Sequence, residues 1–123
     1  MASVFEATAG KSIGYTSGLG GAVTQATSKS TGVTLNKVCG QITMHDASLA
    51  AAAEVAFTVT NSFVAATDCV VASIASGGTS GAYNLQVSAV AAGSFDLALG
   101  NMSAGSLGEA VVINFVVIKA AND

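Results

Sequence analysis

The chain has 123 residues, 51% of them hydrophobic and only 9% charged, with a net charge of −3. Four lysines and no arginine leave too few cations to hold a phosphate backbone, and no apolar run approaches the roughly 20 residues of a membrane-spanning helix. One domain with a real core is expected, but charge well below the usual ~25% leaves its exterior to uncharged polar side chains or to another protein chain.

The opening "MASVFEATAGKSIGY" lacks a basic segment followed by an apolar stretch. It reads as the start of an unprocessed, soluble chain made in the cytoplasm. Residues 1–21 are small, polar and Gly-rich, with Val4, Phe5, Ile13, Tyr15 and Leu19 as isolated apolar anchors. This composition predicts an extended N-terminal arm that orders on contact with a neighbour. The alternative is an edge strand added to its own sheet.

From residue 22 onward the pattern predicts a β domain. Short strands are expected at Ala22–Thr27, Gly32–Lys37 and Gly40–His45. "DASLAAAAE", Asp46 to Glu54, reads either as a short helix or as a connecting loop, being shorter than the ~12 residues that make a helix persuasive alone. "EVAFTVTN" then alternates Val55, Phe57 and Val59 against Glu54, Ala56, Thr58 and Thr60. A strand at Asp68–Ala75 follows, then "AYNLQVSA" with Tyr83, Leu85 and Val87 on one face, then "SFDLALGN" with Phe95, Leu97 and Leu99. Glycine-rich turns about every ten residues give the spacing of an all-β sandwich or barrel of seven to eight strands. With no proline in the chain, its 14 glycines must shape the loops.

The last strand, "VVINFVVIK", differs from the others. Val111, Ile113, Phe115 and Val117 line one face, and Val112, Val116 and Ile118 line the other, broken only by Asn114. A sandwich strand normally has one wet face. The second apolar face therefore belongs either to the chain's own core or to an interface, and Val112, Val116 and Ile118 join Phe5 and Tyr15 as candidate interface residues.

Motifs for chemistry fail on their own terms. "ATAGKS" ends like a phosphate-binding loop, but Phe5 stands where that loop needs its first glycine. The single histidine sits in "MHDAS", and no serine lies in a nucleophile-elbow context. Cys39 and Cys69 have neither zinc-site nor redox-pair spacing; buried free thiols are the default reading, with a bridge between them left open. The carboxylates are scattered singly, which gives no calcium loop. "NMS" at Asn101 matches a glycosylation acceptor, but no secretory route is indicated. The Thr/Ser faces read as hydrated sheet, because carbohydrate platforms lean on aromatic rings and the chain has no tryptophan. No catalytic, cofactor or metal site is expected.

From Ala22 to Ala120, "VTQATSKSTGVTLNKVCGQITMHDASLAAAAEVAFTVTNSFVAATDCVV" and "SGGTSGAYNLQVSAVAAGSFDLALGNMSAGSLGEAVVINFVVIKA" resemble small virion structural proteins of tailed bacteriophages. Members of such families are variously capsid decoration, cement or head-fibre proteins. The resemblance implies a jelly-roll-like β-sandwich of about eight antiparallel strands and no enzymatic residues. It also implies a place on the capsid surface, with the major capsid protein and further copies of the chain, as dimer or trimer, for partners. The chain departs from the family at "NKVCG", where Val38 replaces a usual proline. A tail-fibre or receptor-binding module is the alternative.

Overall fold

The computed structural model describes Gly10 and residues 12–123. Eight strands form two four-stranded sheets: β1 (Gly20–Thr24), β2 (Val33–Thr34), β3 (Cys39–Thr43), β4 (Glu54–Thr60), β5 (Cys69–Ser76), β6 (Tyr83–Ala91), β7 (Ser94–Asn101) and β8 (Val112–Ile118). One sheet has the order β1-β3-β8-β5 and the other β2-β4-β7-β6. Among the described residues there is no helix.

The all-β reading holds, with one correction of detail. β1 pairs with β3, and β2 with β4, in parallel. The first four strands alternate between the sheets, so each returns to its own sheet only after crossing the other, and such a crossover permits parallel neighbours. The remaining pairs are antiparallel. β1 also begins at Gly20, two residues before the expected domain boundary.

Alternation places the core. Phe57 and Val59 of β4, with Phe95, Leu97 and Leu99 of β7, face Ile42, Val70, Ile113, Phe115 and Val117 of the other sheet. Phe95 and Phe115, one from each sheet, meet with ring centroids 5.2 Å apart and planes tilted by 55°, within the favourable range for aromatic pairs. In β6 the register shifts between Val87 and Ala89, so the inward set Tyr83, Leu85 and Val87 continues with Val90 rather than Ala89.

The open question over Asp46–Glu54 resolves as a loop. Leu49, buried, exchanges two backbone hydrogen bonds with Leu107, and Ala52 takes a positive φ of 59°. Two backbone donors that a helix would use internally, those of Leu49 and Ala52, go instead to the distant carbonyls of Leu107 and Asn101.

Buried polar side chains hold the loops. Asn61 donates to the carbonyls of Leu35 and Lys37 and accepts from the amides of Phe63 and Val64. Asn101 does the same work at the far end of β7, donating to Leu49 and Gly105 and accepting from Ser103. Lys29 is buried and donates from Nζ to the carbonyls of His45 and Glu109. Burial pushes its pKa down, against the opposing pull of Asp46 and Glu109.

Candidate functional site

The second face of β8 is the outer face of its sheet. Val111, Ile113, Phe115 and Val117 are buried, whereas Val112 and Val116 are half-buried and Asn114 and Ile118 exposed. β8 lies between β3 and β5, so the register reads out that face row by row. Cys39, Val116 and Val71 form one row, with Gly20 of β1 beside Cys39, and Ile118 and Cys69 lie beyond it. In the opposite direction the rows become Gln41, Asn114 and Ser73, then Thr43, Val112 and Ser76. The face is therefore divided: apolar toward the C-terminal end of β8, and polar toward its start, where Gln41 donates to Asn114 across the strands at 3.1 Å.

Further apolar groups gather at the apolar end. Tyr15 donates its hydroxyl to the carbonyl of Val117 at 2.6 Å, and Leu19 immediately precedes Gly20. Phe63 lends its carbonyl to Lys119 Nζ, the residue after Ile118. Of the eight large hydrophobic side chains most exposed among the described residues, Tyr15, Leu19, Phe63, Val71 and Ile118 belong to this one end. Phe63, Val71 and Ile118 are each about half exposed, at 49%, 47% and 48%. Exposed apolar side chains gathered at one end of one sheet make this the candidate interaction surface.

Asp68 and Lys119 fix its margin. The Asp68 side chain, almost wholly buried, accepts from Lys119 Nζ at 2.5 Å and from the amides of Ala65 and Ala120. The hydrogen bond from Lys119 comes first among the causes that hold its pKa below the ordinary carboxylate value. The clasp ties the chain after Ile118 to the loop that presents Phe63.

Of the five expected interface residues, the structure brings Tyr15, Val116 and Ile118 together. Val112 lies at the polar end, beside Thr43 and Ser76, apart from that group. Phe5 lies outside the described residues. Sequence reasoning missed Val71, Cys69 and Phe63. The signal for the first two was present in "DCVVAS", where Cys69 and Val71 oppose Val70 and Ala72, the same two-faced apolar pattern as in the last strand.

The two thiols are free. They flank β8 from opposite sides, and two strand spacings of ~4.8 Å already exceed the ~7 Å Cα limit for a disulfide. Cys69 is exposed and Cys39 only half-buried, so the expectation of buried thiols fails for the first and is met only in part by the second. Val38 donates nothing to the nearby sheet contact: its carbonyl accepts from Val117 N, a role a proline carbonyl would fill equally. Among the described residues no group of three His, Cys, Asp or Glu side chains stands close enough to hold a metal ion.

The fold and surface thus define an all-β sandwich with one apolar end. No family model, no curated protein and no solved structure matches the chain.

Proposed function

We propose that the chain is a non-enzymatic bacteriophage head protein that binds the outside of the shell and cements adjacent capsomers. The single observation that carries this reading is the divided outer face of the β1-β3-β8-β5 sheet. Its apolar end holds Val71, Val116 and Ile118 on the sheet, with Tyr15 bonded to the carbonyl of Val117, where a protein partner can remove them from water at about 25 cal/mol per Å². The resemblance of Ala22–Ala120 to tailed-phage virion proteins supplies the partner: the major capsid protein, with further copies of this chain beside it at two-fold or three-fold positions.

Fractionating purified virions into heads and tails and locating the chain by mass spectrometry tests the assignment. Recovery with heads is expected; recovery with tails, or absence from particles, contradicts it. The surface is tested with Ile118→Asp, which places a charge on an exposed position. The variant should melt within a few degrees of the parent and lose binding to empty heads. Undiminished binding would remove this face from the interface.

A further inference from the structure

The two sides of the sandwich are closed differently. On one side β1 and β2 lie together. There β2 is only two residues long, and the side chains of Leu35 and Lys37 cover Gly21 of β1, where an added Cβ would meet each of them at 3.0 Å. A short strand, a lysine stem and a covering loop are the usual means of keeping an edge from pairing with another chain. On the other side β5 and β6 adjoin as the edges of the two sheets. They run for eight and nine residues, and among the described residues their backbone groups bond to β8 and β7 alone. Each strand therefore turns one row of backbone donors and acceptors away from its own sheet.

Charge and proline, which guard exposed edges, are missing from both strands. The stretch from Cys69 to Phe95 contains β5 and β6 and not one charged residue, and the chain has no proline. A bulge interrupts each strand, between Ile74 and Ser76 and between Val87 and Ala89, but the run from Tyr83 to Val87 stays regular. The core also opens toward this side. Tyr83, Leu85, Val87 and Val90 point inward and are only half-buried, whereas Phe95, Leu97 and Leu99 of the neighbouring strand are fully buried. Ile74 of β5 shares a face with the buried Ile113 opposite it, yet is 37% exposed.

We infer that this edge joins the chain to a second copy of itself, β6 pairing antiparallel with its counterpart about a two-fold axis at Leu85. The run is self-complementary in that register. Leu85 falls opposite Leu85 of the second copy and Tyr83 opposite Val87, which closes both cores, while on the outer face Asn84 falls opposite Gln86, amide against amide. The same axis sets the two β5 edges, with Ile74, toward each other. No like charges meet at the joint, although each copy carries −3. Nine residues make the edge about 30 Å long, and two sheets ~10 Å apart with their outer side chains make it roughly 20 Å deep. Two copies joined there remove on the order of 1,200 Å² from water, which reaches the range of stable, specific interfaces. The inference rests on this edge alone and does not depend on the outer face of the β1-β3-β8-β5 sheet being the shell contact.

Sedimentation equilibrium of the full chain at rising concentration should show monomers passing to dimers. Asn84→Lys combined with Gln86→Lys puts lysine opposite lysine at two points of the joint, on side chains exposed in the single copy. It should weaken the dimer about 10-fold with the melting temperature of the monomer unchanged. Asn84→Lys combined with Gln86→Glu puts opposite charges at the same points and should restore the dimer. In the parent chain, amide exchange at Tyr83–Val87 should slow as concentration rises. A monomer persisting to about 0.5 mM overturns the inference, as does an oligomer indifferent to the two lysines. Exchange at Tyr83–Val87 that does not vary with concentration also overturns it, because no second copy then covers β6.

Discussion

Asn61, Asn101, Lys29 and Asp68 show how single polar residues close a sandwich whose loops carry few charges. The side chain of Asn101 joins Leu49, Ser103 and Gly105, three points on two loops, from a site with no solvent access. Replacement by alanine strands those backbone groups, and Asn101→Ala should cost about 2–3 kcal/mol in urea denaturation. Nothing in "LGNMS" announces this role, because it depends on a loop 52 residues earlier in the chain. Lys29 was equally hidden: it lies between the strands expected at Ala22–Thr27 and Gly32–Lys37, and only tertiary packing buries it. Asp68 has a testable pH signature. Its folded pKa lies below the unfolded one, so its stabilisation is complete above the unfolded value near 4 and is lost as pH falls through the folded value. Melting temperature followed from pH 7 to pH 2 should therefore fall less steeply below pH 4 in Asp68→Asn than in the parent. Parallel curves would mean that the clasp with Lys119 contributes nothing to folding.

At the scale of elements, strands with period-two patterns were the legible ones. "EVAFTVTN" and "SFDLALGN" form β4 and β7 with the predicted faces inward. β1 was harder, since "GGAVT" offers only Val23 as a half-buried contact and its place is set by pairing with β3. The parallel pairs were not legible at all. Direction depends on which sheet each strand joins, a long-range choice with no local signature. The β6–β7 hairpin turns on Ala92 and Gly93, the latter at φ 86°. A side chain there is strained, and Gly93→Val should lower stability by about 1–2 kcal/mol. Gly81, also at positive φ and with open space around it, offers a matched comparison in a turn that does not join paired neighbours. A smaller effect at Gly93 than at Gly81 would argue that the hairpin turn is not a critical junction.

For the molecule as a whole, the apolar pattern of "VVINFVVIK" explains the architecture better than any motif does. One face of β8 builds the core and the other builds half of an exposed sheet surface, with Val71 and Cys69 of β5 continuing it. The site was visible in the sequence as a surplus of apolar residues. Its division into apolar and polar ends was not, because that follows from the register of three strands brought together by folding. The opposite sheet carries Glu54, Thr58 and Asp96 on its outer face, so the two outer faces differ in chemistry. Lys119, exposed over 59% of its side chain and directly after Ile118, is a natural reporter for the apolar end. Amine-reactive crosslinking of intact virions, read by mass spectrometry, should join Lys119 to the major capsid protein. Crosslinks from Lys119 only to tail proteins, in particles where the chain is present, would contradict the account.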